Sequence, residues 1–207
     1  CACSGNQKVE TEAMITKQEI QVENGQFTPE IMHRLGKVSD PQLSPNYGKI
    51  LYGVTYTSIE QNKGNRELFL MNADGSDNVK LTSSPKSESN ARWLNDSEII
   101  YMRGGKLYTA KVEGNALKNE KEITGAEGME SFELSPAGDK IMFIKPIKAA
   151  QKPTDAYPDL DKSSGRTYTD MMYRHWDHFV EEVPHTYVAS FDGSKVNGII
   201  DILAGDK

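Results

Sequence analysis

QLSPNYGKILYGV, residues 42–54, sets the pattern of this chain, and RWLNDSEIIYM at 92–102 and ELSPAGDKIMFIK at 133–145 repeat it. Each stretch reads as an apolar residue, a polar turn and then a strand. Each is followed by a further strand that ends in a Gly turn: LFLMNADGS at 68–76, LYTAKVEGN at 107–115 and TYVASFDGS at 186–194. Pro in Ser-Pro-x-x-Gly fixes φ for a tight turn, and Gly supplies the positive φ that such turns demand. Leu43, Leu94 and Leu134, the apolar residues before the first turn, recur about 40 to 50 residues apart, close to the ~40 to 45 residues of a four-stranded propeller blade. Short runs rich in Ile, Leu, Val, Tyr and Phe at Lys49–Tyr56, Glu67–Asn72, Glu98–Met102, Lys106–Val112, Lys140–Lys145, Thr186–Phe191 and Gly198–Leu203 supply the strands. The pattern predicts an all-β chain, three consecutive four-stranded blades of an incomplete β-propeller at about 38–84, 85–126 and 127–207. Propellers close with about 4 to 8 blades, so three leave an apolar blade face uncovered. The chain is therefore read as a fragment of a longer protein, in preference to one that assembles with another copy or another chain.

The 207 residues carry 24 Lys+Arg against 30 Asp+Glu, a formal charge of −6. An acidic balance without any basic run offers no field for a phosphate backbone, which excludes nucleic acid as a partner. No stretch approaches the ~18 consecutive apolar residues of a membrane-spanning helix. Ahead of the repeats, Thr28-Pro29-Glu30-Ile31-Met32-His33-Arg34-Leu35-Gly36 predicts a two-turn helix with Thr28 as N-cap, Pro29 at the first helical position and Gly36 as the stop. Residues 4–26 are too poor in apolar side chains to offset their ordering entropy and predict a flexible stalk. Residues 1–27 are thus set apart from a propeller segment at 28–207. The only two cysteines, Cys1 and Cys3, stand at the head of that stalk. A start at cysteine followed by Ser4-Gly5-Asn6-Gln7 has the form of a processed bacterial lipoprotein with Cys1 acylated; a numbering boundary is the plainer alternative. Cysteines one residue apart close too short a loop for a stabilising disulfide, and neither CxxC nor a Cys/His quartet is present for zinc. No cofactor is expected.

TPEIMHRLGKVSDPQLSPNYGKILYGV (28–54), LFLMNADGS and above all DAYPDLDKSSGRTYTDMMYRHWDHF (155–179) resemble the N-terminal propeller of bacterial prolyl-oligopeptidase-family serine peptidases. The nearest group is the dipeptidyl-peptidase-five and acylaminoacyl-peptidase-like branch found as Bacteroidetes lipoproteins. The blade turns are shared with TolB-like periplasmic propellers, whereas the run from Met172 to Asp177 is much more specific. The resemblance implies a propeller that gates a C-terminal α/β-hydrolase domain, whose Ser, Asp and His release dipeptides or short peptides from peptide N-termini. It implies as partners that missing hydrolase domain or further blades, short peptides, and a membrane reached through Cys1. The place implied is the bacterial cell envelope, lipid-anchored, in the periplasm or at the outer-membrane surface. These residues contain no G-x-S-x-G elbow, and His33, His175, His178 and His185 have no serine partner in an α/β setting. This segment alone is expected to contribute no catalytic residue and to be inactive. The alternative is a non-enzymatic TolB-like propeller lipoprotein that acts as an interaction module.

The departure from a regular blade is Pro146 to Pro184, inserted where the second blade has only Arg103-Gly104-Gly105. Connections in compact folds run to about 4 to 6 residues, so a longer excursion points to function or disorder. Its second part mixes aromatic and charged side chains, which suits contact with a ligand or a domain; Arg174, His175, Trp176 and Asp177 are the candidates. Arg174 and Asp177, three apart, also satisfy a simple helical ion pair. Glu181 and Glu182 form a carboxylate pair of the kind that receives a substrate ammonium in the related dipeptidyl-peptidase-four branch, and a solvated turn is the plainer reading. His175, His178 and His185 lack a defined fourth ligand for a metal. Asp159, Asp161 and Ser163 with Asp170 fall short of a calcium loop because Gly165 stands one place late. No metal site is expected.

Overall fold

The computed structural model describes residues 14–149, 153–163 and 180–205. Helix α1 (Pro29–Arg34) begins where the Thr28 hydroxyl accepts the Ile31 N–H at 3.4 Å, with Pro29 in the first turn, and it buries Ile31. Its stop differs from the expected one. Leu35, in extended backbone, ends it, and Gly36 is not left-handed. Gly36 is needed for space instead, because a Cβ there would stand 2.8 Å from both Tyr56 and Val54.

Among the described residues twelve strands follow, in three four-stranded antiparallel sheets, each in sequence order. The first blade is β1 (Lys37–Leu43), β2 (Lys49–Ser58), β3 (Lys63–Asn72) and β4 (Val79–Lys80); the second is β5 (Glu88–Asn95), β6 (Glu98–Arg103), β7 (Lys106–Glu113) and β8 (Ala116–Ile123). The third is β9 (Ser131–Leu134), β10 (Lys140–Lys148), β11 (Glu182–Phe191) and β12 (Val196–Asp201), with the single turn α2 (Pro153–Ala156) between β10 and β11. These are the blades of a β-propeller. The middle strands β2, β3 and β6 bury side chains of both faces, as strands sandwiched between neighbours must. The outermost β8 is mostly exposed Lys, Glu and Asn, which suits an edge.

The turns use the expected chemistry with one exchange of residues. In the third blade Gly138 takes the left-handed position at φ 71, but in the first blade that position falls on Tyr47, at φ 61, and not on the glycine beside it. Both turns close alike, with Tyr47 N–H to Ser44 O and Gly138 N–H to Ser135 O, each at 2.8 Å.

The described residues cluster into two compact units, one made of those up to Gly104 with Tyr108–Glu120, the other of Gly105–Leu107 with those from Lys121 onward. In the first unit Leu51, Leu68 and Leu70 of the first blade and Ala91, Ile99, Tyr101, Ala110 and Val112 of the second form one buried cluster. Each large member contributes roughly 1.5–3 kcal/mol by leaving water. Polar ties join the inner strands of these two blades. Asp40 and Asn90 sit left-handed (φ 53 and 51) at matching bulges in β1 and β5, and both Asp40 oxygens accept from Arg92 Nη1 at 3.0 Å. Trp93 Nε1 donates to the Gln42 carbonyl at 3.1 Å. In the second unit Ile141, Phe143, Ala189, Phe191 and Val196 are buried, and Phe143 stacks on Tyr187 with centroids 5.3 Å apart.

Residues 14–27, the described part of the expected stalk, hold neither helix nor strand. Their composition did not mark Ile15, which is buried, or Met14, whose Sδ accepts from the Ser83 hydroxyl at 3.4 Å. Among the described residues no helix is long and apolar enough to cross a membrane.

Candidate functional site at the root of the third-blade insertion

β10 and β11 are longer than the sequence reading made them. Their ladder continues through Lys145↔His185, Pro146↔Pro184, Ile147↔Val183 and Lys148↔Glu182, and the Ala149 N–H donates to the Glu181 carbonyl at 2.9 Å. The insertion proper is therefore 149–181, mounted on a paired base. The neighbours stop earlier: β9 reaches Ile144, and the β12 side reaches Thr186 through the Ile202 N–H. Beyond those residues β10 and β11 run on, among the described residues, as a two-stranded ribbon.

Two directly opposed prolines fit this ladder because opposite pairs alternate between exchanging hydrogen bonds and facing away. The bond from Ala149 to Glu181, two-residue parity, and the outward bonds of Ile144 and Thr186 all place Pro146 and Pro184 in an outward-facing pair. Neither missing N–H is then needed between the strands.

Side chains alternate with the pleat. His185, Ala189 and Phe191 are buried on one face with Ile141 and Phe143 of β10, while Glu182, Pro184 and Ser190 of the other face are exposed. Glu182 sits opposite Lys148, whose ammonium pairs with the Asp155 carboxylate of α2. Both partners are well exposed, and such pairs contribute about 0–1 kcal/mol.

Of the residues singled out from the sequence, the structure places Glu181 and Glu182 at the end of this ribbon. Arg174, His175, Trp176 and Asp177 lie outside the described residues, as do Cys1, His178 and Asp170. Asp159 and Asp161 are exposed turn residues, and among the described residues no group of three His, Cys, Asp or Glu could hold a metal. His185 has a role that sequence reading missed. It is buried, with Nδ1 2.8 Å from Asp201 Oδ2 on β12, and the Leu203 N–H donates to the other Asp201 oxygen at 3.0 Å. Desolvation pushes the Asp201 carboxyl up, but the hydrogen bonds from His185 and Leu203 outweigh it and hold the carboxyl below its usual value. The signal was available, because His185 shares the two-residue period of Ala189 and Phe191. Its partner could not be read, since nothing in the sequence marks Asp201 as lying across the strand pair.

Compared with known proteins, the chain is 35% identical over 183 residues, 87% of its length, to Dipeptidyl-peptidase 5 of Porphyromonas gingivalis. It is 33% identical over 189 residues to Dipeptidyl-peptidase 5 of Porphyromonas endodontalis. The chain fits the N-terminal propeller of a prolyl-oligopeptidase-family peptidase. This peptidase-associated propeller spans 27% of the length of each of those relatives. Among solved structures, Pyrococcus horikoshii acylaminoacyl peptidase superposes on 82% of the chain with a TM-score of 0.57 and 15% identity, a likeness of fold, over 25% of its own length. No protein-family model matches the chain.

Proposed function

We propose that this propeller is the gating part of a serine exopeptidase that releases dipeptides or short peptides from peptide N-termini, and that Ser, Asp and His for the chemistry belong to an α/β-hydrolase domain outside these residues. The observation that carries the reading is the 35% identity to Dipeptidyl-peptidase 5 across 87% of the chain. The propeller's part in the chemistry is exclusion and orientation. A ring of blades admits short extended chains and turns folded proteins away. The insertion, raised on the β10–β11 ribbon, carries Arg174, His175, Trp176 and Asp177 as wall of the substrate chamber or as contact with the catalytic domain.

Glu182 opens β11 and Glu181 directly precedes it, its carbonyl bonded to the Ala149 N–H, and because consecutive residues of a ladder alternate sides the two are not expected to converge on one ammonium. One of them at most meets a substrate N-terminus. A shielded carboxylate there strengthens binding through a charge-assisted hydrogen bond, whereas a solvated one contributes little. Cys1 is proposed as the acylated residue that holds the protein in the cell envelope, facing the periplasm or the outer surface.

The test uses the full-length protein that contains this chain. Release of dipeptides from free-amine peptides, with loss on replacing the serine of a G-x-S-x-G elbow, is the expected result. Glu181→Gln and Glu182→Gln should change kcat/KM unequally for free-amine dipeptide substrates. A full-length protein without such an elbow and without peptide release would leave an envelope interaction module and overturn the peptidase reading.

A further inference from the structure

Within the first unit, two glutamates from different blades meet at one threonine. Glu67 of β3 and Glu88 of β5 are each fully buried. Thr82, in the link between the blades, places its Oγ1 3.0 Å from Glu67 Oε2 and 3.0 Å from Glu88 Oε2, and the same oxygen accepts the Leu68 N–H at 2.8 Å. A hydroxyl has one proton to donate and two lone pairs. It can serve one of the two carboxylates. Were both ionised, the second contact would set lone pair against lone pair with no water to intervene, a costly arrangement in a buried site.

One added proton resolves every contact. If Glu88 Oε2 carries it, Glu88 donates to Thr82 Oγ1, Thr82 donates to Glu67 Oε2, and the second lone pair of Thr82 takes the Leu68 N–H. The surroundings decide which carboxyl is neutral. Glu67 Oε1 receives Asn65 Nδ2 at 3.2 Å, the Ser84 N–H at 3.4 Å and the Lys80 ammonium at 3.1 Å. Glu88 Oε1 is buried with no hydrogen bond; the Arg103 guanidinium is 3.8 Å away and is held by Glu120, through Nη2 at 2.6 Å and Nη1 at 3.1 Å. Arg66 meets only the Glu88 backbone carbonyl, at 2.9 Å.

We propose that Glu88 is neutral in the folded chain and that Glu88, Thr82 and Glu67 form a proton-held clasp between the first two blades, which weakens as the proton is withdrawn. Burial is the chief cause that moves the Glu88 carboxyl up to about 7, the charge of Glu67 adds to it, and Thr82, Arg103 and Ser84 oppose it without outweighing burial. An acid whose folded value lies above the ordinary 4.5 contributes stability that is complete below that value and is lost as pH climbs to about 7. The clasp is thus closed in mild acid and loosened at neutral and alkaline pH.

Hydrogen exchange read by mass spectrometry on the full-length protein, with peptides covering β3, residues 80–88 and β5, tests this after correction for intrinsic exchange rates. Protection of these peptides should fall by up to about tenfold per pH unit between roughly pH 5 and 7 and then level off. Glu88→Gln, whose amide donates to Thr82 as the acid does, should keep the protection high across the range. Glu67→Gln removes the neighbouring charge that helps hold the Glu88 carboxyl up and should make the fall end at lower pH, while peptides of β10 and β11 stay unchanged in both variants. A flat profile in the wild-type protein overturns the clasp, as does a Glu88→Gln variant that keeps the fall. Should Glu88→Gln fail to fold, Thr82→Ser, which keeps the hydroxyl, must retain the wild-type profile; loss of the profile in that variant also counts against the proposal.

Discussion

An alanine at Gly53 separates crowding from backbone preference at the seam between the first two blades. Gly53 lies in mid-strand β2 without a left-handed φ, so alanine is conformationally acceptable there. Its Cβ would nevertheless stand 2.1 Å from Arg66 Cζ and Nη2 and 2.3 Å from Nε, where ordinary contact begins at 3.4 Å. The guanidinium must retreat. In doing so it gives up its 2.9 Å bond to the Glu88 carbonyl, two longer bonds to Ser39 at 3.3 and 3.4 Å, and a 3.7 Å pairing with Asp40. A hydrogen bond from a charged group is worth about 1.5–3 kcal/mol. Only one of the three has a good length, and alanine returns up to about 1 kcal/mol of strand stability relative to glycine. Gly53→Ala should therefore destabilise by about 1–2 kcal/mol, seen as a lower urea midpoint at unchanged slope. In an Arg66→Ala background the same change should become neutral or stabilising. Stabilisation by Gly53→Ala in the native background, or an equal cost in both backgrounds, would refute the reasoning.

Leu70→Ala, in the buried cluster shared by the first two blades, should cost about 2–5 kcal/mol in equilibrium unfolding, and a loss below about 1 kcal/mol would mean that the cluster repacks freely. Asp201→Asn should flatten the acid limb of thermal stability: the Asp201 carboxyl is held below its ordinary 3.8, so its contribution is present above that pH and is lost as pH falls through the lower folded value. An acid limb identical to wild type would show that the His185 contact carries no linkage. Gly125→Ala should sharply destabilise the second unit, since Gly125 is left-handed at φ 88 and a Cβ would lie 2.5 Å from the Val196 carbonyl oxygen; wild-type melting would contradict that placement. Metabolic palmitate label should disappear in Cys1→Ser and persist in Cys3→Ser, and the reverse pattern would move the anchor to Cys3.

The blades were legible because each rests on local chemistry: Ser-Pro turns, Asp-Gly hairpins and short β-branched or aromatic runs recur at blade spacing. Strand ends were less legible. Pro146 and Pro184 read as breaks, yet opposed prolines at an outward-facing pair leave the ladder intact. Tyr47 shows a related limit. A turn motif says that some residue will be left-handed, and in the first blade the aromatic takes that position while the neighbouring glycine does not. The polar interior was hidden for a different reason. Alternation puts Glu67 on the face opposite Leu68 and Leu70, which in a one-sided sheet would be wet, but a middle strand of a stacked blade has no wet face. Its partner Glu88 comes from the next blade, and no pattern along the chain announces that meeting. The candidates Arg174, His175, Trp176 and Asp177 rest on composition and resemblance, since they fall outside the described residues.

Among the described residues no strand pairs with either edge of the ribbon at the root of the insertion, and unpaired strand edges invite pairing with strands of other molecules. Beyond Ile144 on one edge and Thr186 on the other, the outward positions within the strands are Pro146 and Lys148, and Pro184 and Glu182. Each edge thus offers one residue with no donor at all and one bearing a charge that an incoming strand would have to strip of water. That combination would disfavour strand addition at either edge. On that reading Glu182 would serve without a substrate, and replacing these four residues together by valine should raise self-association through this ribbon relative to the unsubstituted chain.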